Sequence, residues 1–255
     1  MGIPAPDSSG AQAFMKAISH TASLAGSDAA SQAFFKRAGI PLLDSLNEFL
    51  ETLKLLHIAG PLKGRGICSV SCSGGEASLA ADAAEPRNLH FPALTDADRT
   101  RIAATLNEYV AITNPLDYHT FIWNDAPKMA EVYAVMASGP AALTAIVVDF
   151  PRRDRCMTDA WDCVEKAAIL ARQRTGKRIA LLTSLSESLP EDICDRLMQA
   201  GILPLHGLDA ALDALAEIYG TRVEADPDRP IPIPSVQDTL CLRDEALAKA
   251  ILERC

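Results

Sequence analysis

From about residue 64 onward, short apolar runs alternate with stretches of helical length, and this alternation constrains the fold more than any other feature. Ile67–Ser71 reads as a buried strand, followed by Cys72-Ser73-Gly74-Gly75 and a helix from about residue 76. A helix over 96–107 precedes a second strand over 109–113. A helix over 125–137 precedes a strongly β-branched third strand over 143–150. A helix over 158–173 leads into a fourth strand, 178–184. The next helix, 190–200, stops at Gly201, a suitable C′ residue, before a short fifth strand over 202–205 and a last helix over 208–219. Strands joined by helices of this length run parallel through right-handed crossovers, with both sheet faces covered. The expectation is an α/β chain with a flavodoxin-like, doubly wound parallel sheet over residues 61–221.

The flanks differ. Residues 1–60 have helix-like stretches around 11–18 and 28–38 and at most one short strand, so they read as an incomplete α/β segment. Asp44-Ser45 is a candidate N-cap, followed by an amphipathic stripe of Leu46, Phe49, Leu50, Leu53 and Leu56. Residues 222–255 begin with Pro227, Pro230, Pro232 and Pro234, an extended linker, and end in a helix of about 242–253.

Composition removes several functions. A formal net charge of -9 argues against nucleic acid or an anionic membrane as partner, since both require a basic face. No apolar run reaches the ~20 residues of a membrane span, and the first residues lack a signal-peptide pattern, so the expected location is cytoplasmic. Seven cysteines at irregular spacing, with no Cys-x-x-Cys, favour reduced thiols over disulfides or zinc, and no cluster has metal-ligand spacing.

Three segments can carry chemistry. Ser73, Gly74 and Gly75 lie between strand and helix at the carboxyl edge of the sheet, where free N–H groups and the helix dipole favour an anion such as phosphate. The alternative is a tight turn that needs glycine for conformation alone. His20 lies in a run of small and hydroxylated residues, open to a bulky partner and able to act as a nucleophile. Asn114 and Asp117 flank a turn after the second strand, where they either support the loop or cap it. Asp149, Arg152, Arg153 and Arg155 follow the third strand at the same edge, the arginines facing either phosphate or solvent. His57, His90 and His206 receive no role.

Taken together, these segments resemble the NDP-forming acyl-CoA synthetases, relatives of succinyl-CoA synthetase. Ser19-His20-Thr21-Ala22-Ser23-Leu24-Ala25-Gly26-Ser27-Asp28 resembles the family's phosphohistidine segment, Ser-His-Thr-Gly-Ser-Leu-Ala-Gly-Ser-Asp, departing from it at Ala22. Ser73-Gly74-Gly75 with Leu79-Ala80-Ala81-Asp82 resembles the opening of its second flavodoxin-like domain, and Asn114-Pro115-Leu116-Asp117 its Asn-Pro-Val/Leu-Asp turn. Order and spacing agree over about residues 10–220.

The resemblance implies that His20 relays a phosphoryl group between acyl phosphate and nucleotide, and that Ser73, Gly74, Gly75 and the following helix stabilise it. It implies CoA and ATP or ADP with Mg in the complete enzyme, none held tightly by this chain. It also implies a carboxylic acid substrate and CoA-binding and ATP-grasp domains or subunits as partners. Residues 1–60 then match the tail of a first succinyl-CoA synthetase-like domain, and 222–255 a linker and the first helix of an ATP-grasp domain. Alone, such a chain is expected to be inactive. Apolar surface over 31–58 would favour a homo-oligomer. Glu76 departs from the family's usual Pro or Gly and is expected to point away from a bound phosphate. The rival reading is a non-catalytic flavodoxin-like remnant that binds a phosphate ligand or a partner. A flavin-binding flavodoxin is disfavoured by the low aromatic content.

Overall fold

The structure, a computed structural model, describes residues 40–220 together with Gln32, Phe34 and Phe35. Leu50–Gly220 form one compact unit. Its elements follow the expected alternation: α1 (Leu46–Ile58), β1 (Ile67–Ser71), α2 (Gly74–Ala84), α3 (Asp96–Ala103), β2 (Leu116–Asp117), α4 (Ala126–Ser138), β3 (Leu143–Val147), α5 (Asp162–Thr175), β4 (Ile179–Leu182), α6 (Glu191–Gln199), β5 (Leu203–Leu205) and α7 (Leu208–Gly220). The five strands form one sheet in the order β2-β1-β3-β4-β5. Every pairing is parallel, with Val70 opposite Leu116 on one side of β1 and Ile146 on the other.

Side chains alternate across the strands, and the alternation builds two cores. Cys68, Val70, Ile146 and Leu181 face the layer that includes α4 and α5, with Met129, Tyr133, Val164 and Ala168. Ile67, Ala145, Val147, Leu182 and Leu203 face the other layer, with Ala80 and Ala84 of α2, Leu212 and Leu215 of α7, and Leu55 of α1. This is the expected doubly wound sheet. Among the described residues no helix is long and apolar enough to cross a membrane.

One local reading is corrected. Residues 109–113 form no strand; the second strand is the two-residue β2. Pro115 has no N–H to give to a ladder, and the Asn114 side chain takes the place of a paired strand. Its Oδ1 accepts from Ser69 N–H (3.0 Å), while Nδ2 donates to Ile67 C=O (3.1 Å) and Pro92 C=O (3.0 Å). In α1 the expected apolar surface is present, on a helix whose polar side is buried. Leu46, Leu50 and Leu53 are 62%, 49% and 43% exposed, whereas Glu48, Glu51, Thr52 and Leu55 are buried. The helix starts as read: Glu48 N–H donates to Ser45 Oγ (3.1 Å), and Asp44 N–H donates to the Glu48 carboxylate (2.8 Å), closing a reciprocal cap.

The burial of Glu51 has a physical cause. Lys54 Nζ lies 2.7 Å from its Oε2 and 2.8 Å from His206 Nδ1, and His206 N–H donates to Glu51 Oε2 (3.1 Å). His206 Nε2 contacts Cys194 Sγ at 3.5 Å. A lysine donor on Nδ1 leaves the imidazole neutral with its proton on Nε2. Burial, then the Lys54 charge, lowers the His206 pKa to about 4, and burial raises those of Glu51 and Cys194.

Candidate functional site

In a 2-1-3-4-5 sheet the chain reverses its winding beside β1, and the crevice between the loops after β1 and β3 is where such folds bind ligands. That crevice contains the start of α2. Ser73 is the N-cap residue in extended conformation, and the first intrahelical bond runs from Ala77 N–H to Ser73 C=O (3.1 Å). The N–H groups of Gly74, Gly75 and Glu76 precede that bond and mark the positive end of an eleven-residue helix.

Neither Gly74 nor Gly75 has positive φ, so the purely conformational reading of these glycines is set aside. What they supply is space. A Cβ on Gly74 would lie 3.2 Å from Asp117 Oδ2, and one on Gly75 would lie 3.4 Å from Ser73 Oγ. Asp117 ends β2 opposite Ser71. Its Oδ1 accepts from His119 N–H (2.8 Å), and His119 Nε2 lies 3.8 Å from Oδ2. His119 has φ 56 and sits against Phe121, with ring centroids 5.6 Å apart. Asp149, just beyond β3, accepts from Ser184 N–H (2.9 Å), Leu185 N–H (3.3 Å) and Ser184 Oγ, joining the loops after β3 and β4.

Glu76 is half-buried. Its Oε2 is buried without a hydrogen-bond partner. Burial, then the charges of Asp149 and Asp117, raises its pKa to about 7. Cys72, beside it, is held as a thiol with its pKa raised to about 11, first by burial and then by Glu76. Below the loop, Tyr118 Oη and Tyr133 Oη are 3.0 Å apart in the core.

The arginines of the β3–α5 loop are committed to surface pairs. Arg152 binds Asp154 (2.6 Å) and Arg153 binds Asp192 (2.7 Å), while Arg155 lies 3.5 Å from Asp154. Asn114 supports β1 rather than reaching the crevice, and His20 lies outside the described residues, as do 222–255. Cys68, Cys72, Cys156, Cys163 and Cys194 are free thiols.

Among the described residues, no set of three or more His, Cys, Asp or Glu side chains could hold a metal ion, so no step is assigned to magnesium. A cavity beside Phe150, Trp161 and Ile193 measures about 10 Å³, the size of one water. An open groove of about 490 Å³ lies instead by Asp82, Glu85 and His90, whose carboxylates oppose a nucleotide or CoA phosphate. The described residues thus place an uncapped helix N-terminus in the crevice. Sequence reasoning missed the partnerless Glu76 Oε2, the Asp149 brace and the His206 network. The Ser73-x-x-Glu76 spacing was the available signal for the first.

The sheet order and the crevice at α2 define a flavodoxin-like domain of the doubly wound class. Residues 7–56 match the family described as the succinyl-CoA ligase-like flavodoxin domain. The chain is 31% identical over 101 residues to subunit alpha of the ADP-forming acetate–CoA ligase II of Pyrococcus furiosus, covering 40% of this chain and 22% of that subunit. It is 25% identical over 207 residues to subunit alpha of the corresponding ligase I, covering 80% and 43%. Two structures of the dinucleotide-forming acetyl-coenzyme A synthetase 1 of Candidatus Korarchaeum cryptofilum share the fold. The apo form matches with a TM-score of 0.64 and 16% identity over 79% of this chain and 43% of that one. The complex with phosphate and ADP matches with a TM-score of 0.64 and 17% identity over 81% and 44%. The resemblance to the NDP-forming acyl-CoA synthetases thus holds, and the chain spans less than half the length of these relatives.

Proposed function

We propose that this chain is a fragment or subunit of an NDP-forming acyl-CoA synthetase, an acid–thiol ligase. In this reading His20 accepts a phosphoryl group from an acyl phosphate: an N–P bond forms, the P–O bond to the acyl oxygen breaks, and the carboxylate leaves. The phosphoryl group then passes to a nucleoside diphosphate, and both transfers are reversible. Residues 1–60 would be the tail of a preceding succinyl-CoA synthetase-like domain, 61–221 the flavodoxin-like CoA-ligase domain, and 222–255 a lead into an ATP-grasp domain. CoA-binding and nucleotide-binding partners, on the same or another polypeptide, would complete the enzyme.

The observation that carries the reading is the uncapped N-terminus of α2 at the carboxyl edge, whose first two residues, Gly74 and Gly75, carry no side chain to cover the free N–H groups. A phosphoryl group bearing about two negative charges gains from such a terminus. The experiment supplies labelled ATP and partner chains bearing the missing domains. Acid-labile, alkali-stable label should appear on this chain and vanish in His20→Ala. Equal labelling of the variant would remove His20 from the mechanism.

A further inference from the structure

Beside the start of β1, the neighbouring place in the sheet is taken by residues 90–92 rather than by β2. His90 forms a parallel bridge with Gly66: its N–H donates to Arg65 C=O (3.1 Å), and its C=O accepts from Ile67 N–H (2.9 Å). Pro92 C=O accepts from Asn114 Nδ2 (3.0 Å), which also donates to Ile67 C=O (3.1 Å). In extended chain the backbone groups of successive residues alternate from side to side. With His90 and Pro92 bonded toward β1, the N–H and C=O of Phe91 face away from it. Neither has a hydrogen-bond partner among the described residues. An open edge of this kind is a template for another extended chain.

The groove of about 490 Å³ lies along this edge, lined by Leu89, His90 and Phe91 together with Asp82 and Glu85 at the carboxyl end of α2. Leu89 is buried and Phe91 half-buried, whereas Asp82 and Glu85 are exposed. The two acidic residues are three positions apart, a spacing that puts them on one helix face. Their side chains make no ion pair or hydrogen bond among the described residues. Arg87, just beyond, is committed to Asp213, to Asp209 (3.0 Å) and to Ala83 C=O (2.7 Å). Pro86 has no N–H, so the Asp82 C=O lacks its helical donor, and the negative end of the helix dipole falls here as well. The groove therefore joins free main-chain bonding positions and apolar ground to uncompensated negative charge.

We propose that this groove docks an extended, basic segment of a partner protein, which adds as a strand beside Phe91 and sets Lys or Arg side chains against Asp82 and Glu85. Main-chain bonds to Phe91 supply affinity, and alternate side chains supply selection. The same carboxylates repel free phosphate groups. A second copy of this chain, with a net charge of -9, is the less complementary occupant. The groove lies at the other end of α2 from its N-terminus, and the proposal does not depend on phosphoryl transfer.

The probe is a capped, dye-labelled Lys-Val-Lys-Val-Lys-Val-Lys peptide titrated into the full chain, read by fluorescence anisotropy and by the amide NMR signal of Phe91. Binding should move the Phe91 signal and slow its exchange with solvent. The double variant Asp82→Asn, Glu85→Gln changes exposed side chains and should weaken binding by roughly three- to tenfold while flattening its salt dependence. A peptide with Glu in place of Lys should bind about tenfold more weakly or worse. The Lys-Val peptide N-methylated throughout keeps its charge, loses its N–H donors and should not bind. Equal binding by the double variant, or of the Glu-containing peptide, would overturn the proposal by removing its selection for basic residues. Retained binding of the N-methylated peptide, or an unmoved Phe91 signal, would overturn strand addition. A Phe91 signal that moves with protein concentration alone would make a second copy the occupant and refute the basic partner. Absence of Lys-Val peptide binding at about 1 mM would refute the site itself.

Discussion

Acid should loosen this domain through one imidazole. His206 accepts a hydrogen bond from Lys54 at Nδ1, and its pKa falls from 6.5 to about 4 because burial and the Lys54 charge disfavour the imidazolium. The unfolded chain binds that proton near 6.5, whereas the folded chain resists it. Stability from His206 is therefore present above pH 6.5, declines as pH falls from about 6.5 to about 4, and is gone below. The full shift corresponds to roughly 3 kcal/mol. A quarter of the His206 side chain is reached by solvent, which screens the Lys54 charge, so the working expectation is about 1–2 kcal/mol. Glu51 acts in the opposite sense at the acid end: its raised pKa lets the native state take up a proton more readily, offsetting part of the loss toward the carboxylate range. The interval between about pH 6.5 and 5 isolates His206 best. Urea denaturation of wild type and His206→Gln at steps through that interval measures the difference directly. The wild type should lose about 1–2 kcal/mol more than the variant on acidification. Parallel stability curves would refute the neutral, lysine-bonded imidazole.

Two further outcomes follow from the same geometry. Asn114→Ala should cost about 2–4 kcal/mol in urea denaturation, because it removes three hydrogen bonds and strips Ser69 N–H of its acceptor beside a buried strand; a loss below about 0.5 kcal/mol would contradict its role as a strand substitute. The exposed Leu46, Leu50 and Leu53 should drive concentration-dependent association, read by light scattering and weakened in a Leu50→Gln, Leu53→Gln double variant; a monodisperse monomer at high concentration would contradict it.

The α/β alternation was readable because four of the five strands are short runs buried along their whole length and several helices are punctuated. Thr95 caps α3 through Asp98 N–H, and Gly201, at φ 70, turns the chain after α6. The gaps lie where a distant partner decides the outcome. The Asn114 side chain satisfies β1 from a residue 45 positions away, so the apolar run over 109–113 has no ladder to join. In α1 the leucine stripe was legible, but the burial of Glu51 was not, because its bond is to a residue 155 positions later. At the candidate site, glycines, N-cap and helix start were legible as local features. The raised proton affinity of Glu76 was not, because it comes first from burial and then from Asp149 and Asp117, at the ends of other strands.

The brace at Asp149 gives the crevice a mechanical property. One carboxylate collects Ser184 N–H, Ser184 Oγ and Leu185 N–H, so the loop after β4 is harnessed to the loop after β3. A load on the loop after β4 is carried into the end of β3 by these three bonds, so the two loops yield together rather than singly.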